Sequence, residues 1–438
     1  MSELKQLARR IFAETLAAID IPATMQRKLA REGTRIRCAD AEIDLSAYER
    51  IVAIAIGKAG FGMASGLCDV LAPEYHASGI LAIPVAPPRE LPGFRTFLAG
   101  HPVPNAASFA AGRAALDLLA GSNERTLVFF LLSGGGSALC EAPLDPAISL
   151  EDIQQLNRVL VTCGAPIDDI NAVRKHLSAV KGGRLAAAAP RAMKITLGVT
   201  DVPFGRESAL ASGPTLPDPT TVEDANRVVE KYGLLEKLPP VVRAKFSRRH
   251  SSLPETPKAD HPAFERAHFQ LLLGMPDLFH RAHRAAEAAG FMAICDNATD
   301  DWPLERAADA LLEMLTVLKR GYGGRPLCLI ADGEVSSPVT GDGIGGRNSA
   351  FALYCAEKIA GKNMAVLSAG TDGVDGNSPA AGAVADGTTL ARARAAGLDP
   401  QDYFRRSDAH TFFKKLGDTV ETGPTGNNLR DLRILLYK

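Results

Sequence analysis

Residues 127–137 read LVFFLLSGGGS, an uninterrupted apolar run that ends in a turn rich in glycine and hydroxyl side chains. A continuous apolar run of this length is typical of a strand buried on both faces of a parallel sheet. The turn offers backbone amides and two hydroxyls at the carboxyl end of that strand, a geometry suited to a phosphate. The alternative is a tight strand–helix turn in which glycine serves only close packing. The predicted phosphate-binding residues are Ser133, Gly134, Gly135, Gly136 and Ser137.

The same design occurs three more times along the chain. Residues 51–60 read IVAIAIGKAG, and residues 364–373 read MAVLSAGTDG. The apolar run 327–331 precedes a loop that ends in Gly-Gly-Arg347-Asn348. Glycine lets amides approach an anion closely, and a helix that follows points its positive end at the same place. Four such turns, two of them with a cation, predict a site for a polyanionic small molecule.

Strand-like and helix-like runs alternate over most of the sequence, with a helical pattern expected at 178–188 among others. This alternation predicts an α/β fold with two domains, each with a largely parallel sheet flanked by helices. Residues 238–262 lack apolar periodicity and are rich in proline, serine and charge, as linkers are. We therefore predict domains at 1–245 and 263–438, with the active site in a cleft between them.

Composition excludes several classes of protein. The chain has 438 residues, 46% apolar and 23% charged, and a formal net charge of −1, so no global field recruits nucleic acid or an anionic membrane. No apolar stretch approaches the roughly 18 residues of a membrane helix. The N-terminal segment 1–19 carries Glu3 and Glu14 and predicts an amphipathic helix. Seven scattered cysteines without a C-x-x-C pair indicate reduced thiols in a cytoplasmic protein.

The loop at residues 341–348, GDGIGGRN, matches two known patterns incompletely. It contains the G-x-G-x-x-G of dinucleotide-binding proteins, but about nine residues separate it from the strand that ends at Ala331. It also resembles a P-loop in which Arg347 and Asn348 replace lysine and a hydroxyl residue. Neither pattern has its proper context. The remaining interpretation is a loop that delivers Arg347 at a helix N-terminus, where its guanidinium suits a carboxylate or a phosphate.

Acidic residues follow other strands of the predicted sheets. Asp201 comes directly after the apolar run 195–199 and is a candidate general base or Mg²⁺ ligand, or a turn cap. Glu334 and Asp372 lie in the two later loops, where oxygen ligands suit Mg²⁺ and Asx-turns explain the aspartate as easily. The basic run 171–176 is by default a solvated helix face, and without interleaved aromatic residues it gives no support to nucleic-acid binding.

Taken together, these strings resemble the glycerate 2-kinase family whose C-terminal domain is called MOFRL and whose members are often labelled hydroxypyruvate reductase. The resemblance covers nearly the full length of the chain. It rests on GKA at 57–59, GHPVP at 100–104, SGGGSAL at 133–139, INAVRKHLS at 170–178, KGGRL at 181–185, ASGPT at 211–215, GGRN at 345–348, AGTDGVDG at 369–376 and TGPTGNN at 422–428.

The resemblance implies a Rossmann-like N-terminal domain, a MOFRL-type C-terminal domain, and transfer of the γ-phosphoryl group of ATP to the 2-hydroxyl of D-glycerate, with Mg²⁺ as cofactor. It places the catalytic residues at Lys58, Arg347 and Asp201. The residues expected to bind substrate are Arg174, Lys175 and Asn348. The expected metal ligands are Asp201, Glu334 and Asp372.

Two rival functions follow from the same sequence. An NAD(P)H-dependent hydroxypyruvate reductase would need a dinucleotide fingerprint in its proper strand–helix context. A non-catalytic regulator that binds a sugar or nucleotide would not need a lysine, an arginine and several carboxylates at strand ends. We therefore predict a cytoplasmic kinase that acts on a small molecule, with no nucleic-acid or membrane partner, and leave a homodimer open as its assembly.

Overall fold

The computed structural model describes residues 2–38, 41–202, 205–246 and 253–438. No helix in these residues is long and apolar enough to cross a bilayer. Contacts divide the chain into two compact units, and each is described by itself. The N-terminal unit comprises Ile21–Leu272, and the C-terminal unit comprises Met1–Asp20 together with Leu273–Lys438.

Helices and strands alternate along both units. The helices are α1 (Glu3–Ala17), α2 (Ile21–Lys28), α3 (Gly60–Leu71), α4 (Ala106–Ala120), α5 (Gly136–Leu139), α6 (Leu150–Thr162), α7 (Ile167–Leu177), α8 (Arg184–Ala187), α9 (Val222–Lys231), α10 (Pro240–Phe246), α11 (Met275–Ala288), α12 (Leu304–Gly321), α13 (Arg347–Lys358), α14 (Thr389–Ala395), α15 (Pro400–Arg405) and α16 (Ala409–Leu416). The strands are β1 (Arg31–Glu32), β2 (Arg35–Cys38), β3 (Ala41–Asp44), β4 (Arg50–Ile56), β5 (Ala77–Ile83), β6 (Phe94–Leu98), β7 (Thr126–Ser133), β8 (Met193–Val199), β9 (Ala267–Leu273), β10 (Met292–Asp296), β11 (Leu327–Asp332), β12 (Met364–Gly370), β13 (Gly382–Asp386), β14 (Thr419–Val420) and β15 (Asp431–Tyr437). The predicted α/β class is confirmed.

The main sheet of the N-terminal unit has the order β6-β5-β4-β7-β8-β9. The pairings of β4 with β5, β4 with β7, β5 with β6 and β7 with β8 are parallel. All eight residues of β7 are buried, as its continuous apolar run predicts. Ile56 lies opposite Leu132, and Ser133 lies opposite Val199. The carboxyl ends of β4, β7 and β8 therefore lie side by side at one edge of the sheet.

The main sheet of the C-terminal unit is mixed, with the order β10-β11-β15-β12-β13-β14. Its prediction as largely parallel is wrong, because β15 inserts between β11 and β12 and runs antiparallel to both. Strand β13 is also antiparallel to β12, and among the described strands of this sheet only β10 and β11 pair in parallel. Since β15 runs opposite to its two neighbours, its first residue lies at the edge where they end. Asp431 is thereby placed opposite Gly370.

The boundaries of the two units differ from the predicted 1–245 and 263–438. Helix α1 forms as expected near the N-terminus, but it packs with the C-terminal unit, where the buried Lys5 ammonium lies 2.6 Å from Asp418 Oδ2. The segment interpreted as a linker contains α10, whose Val242 and Phe246 are buried in the core. Residues 247–252 of that segment lie outside the described residues.

The helix predicted at 178–188 is wrong. The basic stretch belongs to α7, which ends at Leu177, and Ser178 takes an extended conformation. Gly182 and Gly183 have φ angles of +56° and +80°, which a right-handed helix cannot accommodate. Only a single turn, α8, follows them.

Candidate active site

Two loops of the N-terminal unit are hydrogen-bonded directly to each other. The Lys58 amide, two residues past β4, donates to the Gly134 carbonyl at 3.0 Å. The Ala59 amide donates to Ser133 Oγ, at the end of β7, at 2.9 Å. The half-buried Lys58 side chain thus starts from a backbone fixed against the predicted phosphate-binding loop. The structure brings these two predicted parts of the site together.

Gly57 makes this close approach possible. Its φ angle is +122°, and a Cβ atom on it would lie 2.5 Å from the Ser133 carbonyl oxygen and closer still to Ser133 Oγ. We expect Gly57→Ala to lower the free energy of unfolding by about 2–4 kcal/mol, because the added methyl group meets backbone and a left-handed conformation disfavours a side chain. Urea denaturation measures this change.

Gly164→Ala is the matched control for that prediction. Gly164 also lies in the N-terminal unit and has a φ angle of +77°, but no described atom lies within 4 Å of the position of its Cβ. The Gly164→Ala substitution is expected to lower the free energy of unfolding by only about 1–2 kcal/mol, from the backbone conformation alone. Equal destabilisation by the two substitutions would show that contact with Ser133 is not what requires glycine at position 57.

The glycines of the predicted phosphate-binding loop are also packed closely. Gly135 has a φ angle of +85°, and a Cβ atom there would lie 2.9 Å from Cδ2 of His101. A Cβ atom on Gly136 would lie 2.6 Å from Cβ of Ala211. Close packing therefore explains part of the glycine content, as the alternative interpretation holds. Gly135 itself is half-buried between the buried Gly134 and Gly136, so a ligand can approach the backbone at Gly135.

Asp201 follows β8, whose Val199 pairs with Ser133, and is half-buried. Lys58, the loop 133–137 and Asp201 thus follow the carboxyl ends of three adjacent strands. This is the edge of a parallel sheet at which α/β proteins bind their ligands. The arrangement agrees with a common site, and the role of Asp201 stays a prediction.

The two cations predicted to bind substrate from α7 are engaged inside the N-terminal unit. Arg174 Nε donates to Asn157 Oδ1 at 2.8 Å, and burial lowers the pKa of the guanidinium. The Lys175 ammonium is buried and lies 3.1 Å from Oδ1 of the buried Asp218. Burial opposes ionisation of Asp218, but Lys175 and the hydrogen bonds from Thr220 lower its pKa overall. Lys175 therefore holds an internal ion pair.

In the C-terminal unit, Arg347 begins α13 and is clamped by two carboxylates. Its Nε lies 2.5 Å from Asp431 Oδ2, and its Nη2 lies 2.7 Å from Glu334 Oε1. Burial alone would lower the pKa of Arg347, but the two carboxylates raise it well above its ordinary value. The side chain keeps 35% of its exposure, and both ion pairs use Nε and Nη2. Neither of these two ion pairs uses Nη1.

Asn348 and Asp375 fix the first turn of α13. Asp375 accepts hydrogen bonds from the amides of Asn348 at 2.9 Å and Ser349 at 2.8 Å, and from Ser349 Oγ at 2.6 Å. Asn348 Oδ1 accepts from Ser368 Oγ at 2.6 Å and is buried. Asp375, which lies in the string AGTDGVDG at 369–376, therefore caps this helix, although burial raises its pKa.

Two of the predicted metal ligands, Glu334 and Asp372, have other partners within the C-terminal unit. Glu334 is bound to Arg347, and Asp372 Oδ1 accepts from the Val374 amide at 3.0 Å. Asp201 belongs to the other unit. Among the described residues, no group of three or more histidine, cysteine, aspartate or glutamate side chains is arranged to hold a metal ion. Binding of a metal ion by Asp201, Glu334 or Asp372 stays a prediction.

Sequence reasoning missed Asp431. This carboxylate is buried at the start of β15 and contacts Arg347, which lies 84 residues earlier. Burial opposes its ionisation, but Arg347 and Arg433 lower its pKa overall. The only signal in the sequence was an aspartate and an arginine inside an apolar run, residues 431–437.

Known proteins share this arrangement of sequence and fold. Residues 7–247 match the family described as a domain of unknown function, DUF4147, and residues 327–431 match the MOFRL family. A D-glycerate 2-kinase from Thermotoga maritima is 37% identical over 391 residues, covering 88% of this chain and 90% of the relative. The chain belongs to the glycerate kinase family.

Another relative and a solved structure also match nearly the whole length of this chain. A relative from Agrobacterium vitis is 35% identical over 441 residues, covering 99% of this chain and 94% of its own, and carries the provisional name hydroxypyruvate reductase. The crystal structure of glycerate kinase from Thermotoga maritima superimposes with a TM-score of 0.82 at 34% identity and covers 99% of both chains. The resemblance read from the sequence is confirmed.

Proposed function

We propose that this protein transfers the γ-phosphoryl group of ATP to the 2-hydroxyl of D-glycerate, giving 2-phosphoglycerate and ADP. The observation that carries the proposal is the hydrogen bond from the Lys58 amide to Gly134, which fixes a lysine beside a glycine-rich loop at the carboxyl edge of a parallel sheet. Support comes from a relative named D-glycerate 2-kinase that is 37% identical.

In this proposal the loop 133–137 receives the phosphates of ATP. Phosphoryl transfer needs positioning and neutralisation of charge more than covalent chemistry. The amides around Gly135 and the half-buried Ser137 hydroxyl would donate to phosphate oxygens. The Lys58 backbone is hydrogen-bonded to the same loop. The Lys58 ammonium would therefore neutralise negative charge on the phosphoryl group being transferred.

Arg347 and Asn348 are the proposed anion-binding residues of the C-terminal unit. Asp431 and Glu334 hold the guanidinium in one orientation, which limits the entropy that it loses on binding. Its Nη1 edge would then meet the carboxylate of glycerate or the transferring phosphoryl group. The Asn348 oxygen accepts from Ser368 and the Asn348 side chain also hydrogen-bonds Asp431, so at most one N–H of its NH₂ group would be available to the same ligand.

Asp201 is the proposed acceptor of the proton from the 2-hydroxyl of glycerate. It is a half-buried carboxylate at the strand end next to the phosphate-binding loop. Arg174 and Lys175 receive a different role, because their contacts with Asn157 and Asp218 hold α7 in place. Mg²⁺ enters the proposal as part of the substrate MgATP, since Mg²⁺ is usually bound through phosphates with only one or two carboxylates.

A pair of parallel assays tests the proposal. With D-glycerate and MgATP we expect ADP and 2-phosphoglycerate, the latter detected directly by enolase; with hydroxypyruvate and NADH or NADPH we expect no oxidation. Chelation of Mg²⁺ with EDTA should stop the first reaction, because free ATP presents its phosphates with unneutralised charge. Oxidation of the nicotinamide without formation of ADP would contradict the proposal and favour the reductase.

The structure weakens the reductase alternative at one place. Strand β11 ends at Asp332 and α13 begins at Arg347, so a long loop separates them. In a dinucleotide-binding unit the first glycine follows the strand almost at once.

The partner of this protein is a small-molecule substrate. A homodimer and a cytoplasmic location stay predictions, and light scattering of the purified protein tests the former.

A further inference from the structure

The segment 211–213 has a backbone conformation that only its last residue favours. Ala211, Ser212 and Gly213 have φ angles of +51°, +62° and +61°. Left-handed geometry is unfavourable for residues with a Cβ atom, so two successive non-glycine residues there must be held by their surroundings. The Ser212 and Gly213 carbonyls accept hydrogen bonds from the amides of Gly182 and Gly183 at 3.1 and 2.7 Å.

The strained conformation places one hydroxyl against the proposed phosphate-binding loop. Ser212 is 2% exposed, and its Oγ lies 2.9 Å from Ser137 Oγ and 3.1 Å from Oδ1 of the buried Asn171. A hydroxyl has one proton, so Ser212 donates to one of these atoms at a time. When Ser137 gives its own proton to a phosphate oxygen, Ser212 is able to donate to Ser137 and hold it in place.

The same segment also supports the middle of the loop. A Cβ atom on Gly136 would lie only 2.6 Å from Cβ of Ala211, so Ala211 packs directly against the Gly136 backbone. Ser212 and Ala211 therefore contact two neighbouring members of the loop, and Asn171 links them to α7. A loop supported at two points loses less freedom when it binds a ligand.

We propose that Ser212 is a positioning residue that orients Ser137 toward the phosphates of the nucleotide. The inference rests on the proposed function, in which loop 133–137 receives ATP. If stability alone were served, glycine at position 212 would fit the left-handed backbone with less strain. The serine therefore keeps a hydroxyl where the backbone disfavours a side chain.

Two substitutions separate the hydroxyl from the strain. Ser212→Gly removes the hydroxyl and relieves the backbone, so we expect a Tm within about 2 °C of the wild type. Ser212→Ala removes the hydroxyl but keeps the strain, so its Tm should fall. Both should raise KM for MgATP about tenfold, and leave KM for D-glycerate unchanged.

Ser407→Gly is the matched control in the C-terminal unit, since Ser407 has a φ angle of +56° and its Oγ accepts from the Thr340 amide at 3.0 Å.

Binding of a non-hydrolysable ATP analogue, measured by calorimetry with Mg²⁺, is the second readout. We expect its Kd to rise about tenfold in both Ser212 variants and to stay unchanged in Ser407→Gly. Wild-type Kd and KM for the nucleotide in Ser212→Gly would overturn the inference, as would an equal rise of KM for both substrates. A wild-type protein that binds the analogue but does not phosphorylate D-glycerate would refute the proposed function instead, while the Kd comparison would still test Ser212.

Discussion

Lys58→Met is expected to lower kcat for phosphorylation of D-glycerate by at least about 1000-fold while the protein stays folded. The bond that joins this turn to the phosphate-binding loop is made by the Lys58 amide, which any residue except proline retains. The substitution therefore removes the ammonium and keeps the loop. A cation aimed at charge that develops in the transition state contributes several kcal/mol in a water-poor site, and about 4 kcal/mol corresponds to 1000-fold.

Steady-state kinetics with MgATP and D-glycerate, together with the thermal unfolding curve, measure the outcome. Lys237→Met is the control, because Lys237 is an exposed lysine of the same unit and should keep its activity. Lys58→Arg adds a distinction, since it restores the charge with a different geometry and should recover part of kcat. Turnover of Lys58→Met within tenfold of the wild type, at normal stability, would remove Lys58 from the catalytic machinery.

The parallel sheet was predictable because each of its central strands is a continuous apolar run in the local sequence. Strand β7 is apolar at every position but its two ends and is followed by three glycines, and β4 and α3 lie where the run 51–60 places them. Such a pattern depends only on burial from both faces. Strand β15 was not predicted, because Asp431 and Arg433 interrupt its apolar pattern.

The interruption has a physical reason that the sequence cannot show. Arg433 is fully buried, and its Nη1 donates to the carbonyls of Asp332 and Gly333, which lie about 100 residues earlier. A buried charge is tolerated when it has hydrogen-bonded or charged partners. Here those partners come from distant parts of the chain, so the local sequence does not show them. The same limit affects the interpretation of Lys175, since nothing near it in the sequence identifies Asp218 as its partner.

Asp431→Asn is the substitution with the largest expected effect on stability. Asp431 is 3% exposed, and its Oδ2 lies 2.5 Å from Arg347 Nε and 3.9 Å from Nη2 of the buried Arg433. The neutral amide would leave Arg433 with the weaker attraction of Asp332, and Arg347 with Glu334 alone. Loss of one partner of a buried ion pair costs about 3–5 kcal/mol, which we expect as the decrease in the free energy of unfolding in urea.

Activity should fall as well, because Arg347 would no longer be held in one orientation for its ligand. Asp402→Asn is the control, because Asp402 pairs with Arg406 on the surface at 3.0 Å. This substitution should lower the free energy of unfolding by less than about 1 kcal/mol.

A double-mutant cycle sharpens the test. If the pair is coupled, Arg347→Gln combined with Asp431→Asn costs less than the sum of the two single changes. Additive costs, or a single change at Asp431 worth under about 1 kcal/mol, would show that the ion pair does not organise the Arg347 side chain.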